Sequence, residues 1–341
     1  MAGDVFDDSA LDDEQALRRI DPLLRRLAES GARVRREVDS TRSAVNGLRA
    51  DGRPRAMVVA GADSRLLRAV LEPWCPVPFV AWPGPGLPGW AGSLDTVVVI
   101  APSSGDVAAT SAVAEATRRG CGLVLAADPH SQIAELGASR HTHLLPATTG
   151  DSMASAVALL QALHVLGLGP DVEPESVATA LDHVAVQCSP FLSVSENPAK
   201  GLALALADAV PLLWGGSVLA ARAARRVAEA LRRSTGRSAL AADADHLLPV
   251  LEAATPRDVF ADPYDDASPQ ALSVLVVLED GNDAAAIREE RGRLLSAAGA
   301  RGVRVETLPA EDGSATARYA SLVSHGSYAA TYVGVGLAGS G

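Results

Sequence analysis

Five short apolar runs, "RAMVVAG", "VPFVAW", "DTVVVIA", "GLVLAAD" and "HTHLLPAT", follow one another between residues 55 and 148. Helical sequence fills three of the gaps between them: "ADSRLLRAVLEP", which must stop before Pro73, "VAATSAVAEATRRG", closed by Gly120, and "SQIAELGA". The remaining gap is the Pro/Gly loop "PGPGLPGW". Runs this apolar have no polar side to offer water, and the helices are long enough to return the chain to the same edge of a sheet. The pattern predicts a parallel sheet covered on both faces.

The order recurs further on. "AVPLLWGGS", "LSVLVVLED" and "VRVETLPA" read as strands, and "VLAARAARRVAEALRRSTG", "AAAIREERGRLLSAAG" and residues 315–337 read as helices. Two mostly apolar helices, 153–168 and 175–186, separate the halves, and Pro174, Pro190 and Pro198 punctuate the boundary. Ahead of everything, residues 12–31 read as one amphipathic helix and a second helical stretch runs toward Leu48. The expected organisation is an N-terminal helical segment at 1–50, a first α/β domain at 51–170, a connector at 171–200 and a second α/β domain at 201–341.

Composition removes several function classes. A formal charge of −11 over 341 residues, with arginines interleaved among acids as in "IREERGRLL", offers no basic stripe for a nucleic acid. No apolar run approaches the roughly 20 residues of a membrane span, so no membrane partner is expected. Cys75, Cys121 and Cys188 lie far apart, which excludes a disulfide framework. The acidic start "MAGDVFDDSALDDEQ" lacks the plan of a secretory signal, and a cytoplasmic location is expected. His141 and His143 alternate on a strand but have no third ligand, so no metal is expected. Neither a Gly-Lys-Ser/Thr phosphate loop nor a three-glycine dinucleotide fingerprint is present, and no cofactor is expected.

Three strand-to-helix loops have the outline of an anion site, in which amides and hydroxyls at a helix start converge on a negative group. The first offers Ser64 in "AGADS". The second, "APSSGD", offers Ser104 and Gly105, with Thr110 one turn later. The third offers Gly215, Gly216 and Ser217 in "WGGS". The same residues also serve as tight turns and helix caps. Two acid–base candidates stand apart from these loops. His246 lies in "DADHLL", and Glu196 precedes an apolar helix in "ENPAKGLAL", where Asn197 before Pro198 is also a helix start signal.

The succession of "AGADS", "VVVIAPSSGDVAAT", "ENPAKGLALALADAVPLLWGGS" and "VLVVLEDGNDAAAIREERGRLL" resembles the bifunctional phosphoglucose/phosphomannose isomerases, which are built of two sugar-isomerase (SIS) domains. The closing "ARYASLVSHGSYAATYVGVGLA" is similar to that family's C-terminal region. The resemblance implies an α/β fold of two tandem SIS-type αβα sandwich domains with mainly parallel sheets. It also implies a small phosphorylated sugar as partner, a homodimer, and aldose–ketose isomerisation without metal or nucleotide. Laid onto the family's phosphate loops, Ser64, Ser104, Gly105 and Thr110 match, whereas Pro102, Asp106 and Val107 replace a serine, an asparagine and a threonine. Arg233 falls at the family's base glutamate and Asp151 at an arginine, and His246 is the nearest relic of its histidine. An arginine cannot serve as a base at neutral pH. Three readings stay open: a phosphosugar-binding protein with doubtful catalysis, a non-catalytic regulatory or scaffolding protein of sugar-phosphate metabolism, and an enzyme using a different base such as Glu196 or His246.

Overall fold

The computed structural model describes residues 5–49, 52–103, 105–254 and 272–338. These form two compact units, one of residues 30–179 and one of the chain up to residue 29 together with residue 180 onward.

The first unit is built on five parallel strands, β1 (Met57–Ala60), β2 (Phe79–Trp82), β3 (Thr96–Ala101), β4 (Gly122–Ala127) and β5 (Thr142–Pro146), in the order β2-β1-β3-β4-β5. Every residue of β1 is buried, as is every residue of β3 after Thr96, because helices cover both faces. One layer of that core joins Val58, Val97, Val99, Leu123 and Leu125 to Ala109, Ala112, Val113 and Ala116 of a helix. Each fully buried valine or leucine contributes about 1.5–3 kcal/mol, and alanines on the facing helix let it lie close to the sheet. The unit's helices are α3 (Ser30–Gly47), α4 (Ser64–Leu71), α5 (Val107–Arg119), α6 (Gln132–Gly137) and α7 (Ser152–Val165). The division between the units falls within α8 (Pro174–Gln187).

The second unit repeats the plan with four parallel strands, β6 (Ala209–Gly215), β7 (Leu240–Ala241), β8 (Leu272–Glu279) and β9 (Arg304–Pro309), ordered β7-β6-β8-β9. Its helices are α9 (Pro198–Leu206), α10 (Val218–Thr235), α11 (Ala244–Glu252), α12 (Ala285–Ala300) and α13 (Ala315–Ala338). In both units the chain leaves its first strand for a neighbour on one side, then crosses to the other side for the third. A crevice therefore opens between the first and third strands, at their carboxyl ends, where doubly wound sheets bind ligands. In the first unit this switch point lies between β1 and β3, and in the second between β6 and β8.

The helix expected over residues 12–31 is instead two, α1 (Glu14–Arg19) and α2 (Asp21–Ala28), preceded by a 3-10 turn at Asp8–Leu11. Asp13 caps α1, accepting from the Ala16 amide at 2.7 Å. Pro22 lacks the N–H that a continuous helix would use, so the chain restarts there. Gly31, the expected stop, lies inside α3.

Within the second unit, Lys200 ties this N-terminal stretch to the loop before α9. Its side chain is fully buried, and Nζ donates to Asp12 Oδ1 (2.8 Å), Pro190 O (3.0 Å) and Leu192 O (2.8 Å) while lying 5.6 Å from the Tyr332 ring centroid. All three ammonium donors are used, which is what makes a buried lysine tolerable. That hydrogen bond holds the Asp12 carboxyl below the usual carboxylate range.

Candidate functional site

At the first switch point the loop after β1 meets the loop after β3, as expected for neighbouring strands. Gly61 adopts φ +93° to turn the chain, and Ser64 opens α4. Across the crevice Asp106 precedes α5, and its carboxylate does two things at once. Oδ1 accepts from the Ala109 amide at 3.0 Å, capping α5, while Oδ2 accepts from the Ala62 amide at 3.2 Å, in the loop after β1. These two amides lie on the two sides of the crevice, in the loop after β1 and in the first turn of α5. Ser64 Oγ is buried and has no hydrogen-bond partner. Thr110 turns its hydroxyl back to the Asp106 carbonyl (2.9 Å), and Gly105 holds φ +107° with open space where a Cβ would stand. Ser104 lies outside the described residues.

A third loop at the same end of the sheet, after β5, is also held by the chain's own carboxylates. Glu37 of α3, fully buried, accepts from the amides of Thr148 (2.9 Å) and Thr149 (3.0 Å) and from Ser155 Oγ (2.6 Å). Asp151 caps α7 through the amides of Met153 and Ala154 and pairs with Arg33 at 2.8 Å. Ser152 Oγ donates to Asp63 Oδ2 at 2.6 Å, joining the starts of α7 and α4. Sequence reading missed Glu37 and Arg33. Their partners lie more than a hundred residues away, and only the polar positions on an amphipathic helix hinted at them.

The second switch point also has a carboxylate in the loop after its third strand. Asp280 directly follows β8 and accepts a hydrogen bond from Ser217 Oγ; Ser217 also caps α10 by accepting from the Ala220 amide at 3.0 Å. Asp280 Oδ1 accepts from the Asn282 amide (3.2 Å), and Arg291 pairs with Glu279. A cavity of about 220 Å3 remains, with Trp214, Gly216, Ser217, Asp280 and Ile287 in its wall. The two glycines serve packing here. A Cβ on Gly215 would stand 2.3 Å from the Ala220 backbone, and one on Gly216 would stand 2.4 Å from Ile287 Cγ2.

The remaining candidates do not join either crevice. His246 is exposed on α11. Glu196 is exposed and accepts from Ser193 Oγ at 2.9 Å, while Asn197 caps α9 through the amides of Ala199 and Lys200. Arg233 is exposed in the last turn of α10, the end opposite Ser217 and about 24 Å from it along the helix axis. There it faces the partial negative charge of the helix end. Cys188, which burial pushes up to about 12, has no thiolate character. Among the described residues no cluster of histidine, cysteine, aspartate and glutamate is arranged to hold a metal ion, and no helix is long and apolar enough to cross a membrane.

Residues 195–337 match the sequence model of the family described as the bacterial phospho-glucose isomerase C-terminal SIS domain. No curated protein matches the chain. Among solved structures, tagatose-6-phosphate ketose/aldose isomerase from Escherichia coli superposes with a TM-score of 0.59 at 14% identity, covering 89% of this chain and 92% of that one. A glucose-6-phosphate isomerase like protein from Thermus thermophilus gives 0.52 at 16% identity, covering 95% and 92%. The C-terminal domain of glucosamine-fructose-6-phosphate aminotransferase from Francisella tularensis gives 0.58 at 12%, covering 90% and 95%. At these identities the likeness is one of fold. The chain thus has the two-sheet α/β fold of these SIS-domain structures, and its residues 195–337 match the bacterial phospho-glucose isomerase C-terminal SIS domain family.

Proposed function

We propose that this chain keeps the phosphosugar-isomerase fold without the isomerase reaction and works as a non-catalytic regulatory or scaffolding protein of sugar-phosphate metabolism. One observation carries the reading. The Asp106 carboxylate already accepts from the amides on both sides of the first switch point, Ala62 and Ala109, so a phosphate dianion arriving there meets a like charge in place of those two donors. Moving a proton between the first two carbons of a sugar also needs a positioned base and a group to steady the enediolate. Arg233 at the family's base position is an exposed cation remote from Ser217, and the acid–base candidates Glu196 and His246 stand on the surface.

Three free cysteines fit a reducing, cytoplasmic setting. A homodimer fits the 95% exposure of Phe191, whose flanking carbonyls, Pro190 O and Leu192 O, are pinned by Lys200.

The test is an incubation of the pure protein at high concentration with fructose 6-phosphate, followed by assay of glucose and mannose 6-phosphates. The expected result is no turnover above the rate without protein. Turnover that disappears in Ser64→Ala would overturn the reading.

A further inference from the structure

The first unit has another cleft, at the amino-terminal edge of its sheet, and its charge is the reverse of the switch point's. It measures about 290 Å3 and is walled by the starts of β3, β4 and β5 and by the stretch that follows α3. Arg49, Arg53 and Arg140 line it, all three exposed, together with His141 and His143. His141 lies in the turn just before β5 and His143 on the strand itself.

Among the described residues the cleft has one carboxylate, Asp95, and its charge is already matched. The Asp95 side chain is fully buried, takes two hydrogen bonds from Arg55 (3.0 and 2.6 Å), and accepts from the Gly92 amide at 2.8 Å. Among the described residues the three lining arginines have no such match. Arg49 donates to the carbonyls of Asn46 and Leu48 at the end of α3, and Arg140 Nε donates to His141 Nε2 at 2.9 Å. No hydrogen bond or ion pair ties Arg53 to a described residue. Three guanidinium groups with no carboxylate partner among the described residues thus line one small cleft of a chain whose net charge is −11. Repulsion among them is relieved when an anion enters, and planar guanidinium forks match the oxygens of a phosphate.

We propose that this cleft binds a small multivalent oxyanion of the phosphate type, a phosphorylated metabolite or pyrophosphate, held chiefly by Arg53 and Arg140. The site lies at the end of the sheet away from the switch point and does not depend on whether the switch point is active. The proposal gives a phosphorylated ligand a place that involves neither Ser64 nor Asp106.

Titration calorimetry of the full chain with pyrophosphate at low ionic strength tests it, with glucose 6-phosphate as a second probe. The expected result is saturable binding that weakens as salt is raised and falls about tenfold or more in Arg53→Ala/Arg140→Ala. Both substitutions are on the surface, so folding is retained. No saturable heat at millimolar pyrophosphate would overturn the proposal, as would binding that ignores the double substitution. Binding lost in Ser64→Ala but kept in the double variant would place the anion at the switch point, against this proposal and the proposed function together. Isomerase turnover alongside arginine-dependent pyrophosphate binding would defeat only the proposed function.

Discussion

The two switch points of this chain are built from equivalent strands and each has an aspartate in the loop after its third strand, yet they differ in what those aspartates hold. Asp106 takes backbone amides across the crevice and leaves the Ser64 hydroxyl buried without a partner. Asp280 takes the Ser217 hydroxyl itself, and the neighbouring glycines are packed against Ala220 and Ile287. In the proposed reading the first crevice is an anion seat filled by a side chain, whereas the glycines of the second pack against the chain itself. Similar loops in sequence need not be similar sites. The atoms their small residues touch decide which is which.

The largest contrast should come from the glycines. Gly215→Ala places a Cβ into the backbone of α10, where neither side can yield, and should cost about 3 kcal/mol or more of stability. Gly105→Ala meets nothing within 4 Å and suffers only the φ of +107°, so about 1–2 kcal/mol is expected. Equilibrium denaturant unfolding of both variants measures the difference. Equal losses would break this distinction between the two crevices.

Acid should separate the units next. His325 in α13 is 4% exposed, its Nδ1 has no partner, and burial lowers its pKa to about 4, while the first unit buries no histidine among its described residues. The unfolded chain therefore binds a proton that the folded unit refuses between about pH 6.5 and 4. Stability from this group is fully present above about 6.5 and declines by up to about 3 kcal/mol as the pH falls toward 4. Hydrogen exchange followed along the chain should show the second unit loosening first over that window. His325→Leu should flatten the response, and parallel loosening of both units would contradict it.

The smallest effect in energy is the most telling for function. Asp106→Ser removes the resident charge and leaves a small neutral hydroxyl, so the amides of Ala62 and Ala109 become available to an anion, with affinity rising about tenfold or more. Asp280→Ser should give no such gain, because the second crevice is shaped by packing. Thermal shift with fructose 6-phosphate reads both, ideally with Arg53 and Arg140 already replaced so that only the switch points are sampled.

Much of the fold was legible in the chain because buried parallel strands are continuous apolar runs, and "VVVIA" and "LVLAA" admit little else. The break in the first helix was less visible: Pro22 can open a helix as readily as interrupt one, and only the cap at Asp13 decides. At the site, the resemblance to the isomerase phosphate loops marked Pro102, Asp106 and Val107 as positions where this chain departs from the family pattern. What Asp106 bonds to could not be read, since Ala62 lies 44 residues away and contributes only a backbone amide. The glycines of "WGGS" likewise look the same whether they cradle a ligand or a neighbouring helix. Arg233, aligned with a catalytic position, proves to sit on the exposed closing turn of α10, where helix phase and distance from the strand end settle its role.

The central claim, that Asp106 closes the first seat, is tested most directly by the amide resonances of Ala62 and Ala109 in 15N-labelled protein titrated with fructose 6-phosphate. The account predicts that both stay still in the natural chain and move saturably in Asp106→Ser. Saturable movement of both in the natural chain, lost in Ser64→Ala, would contradict it.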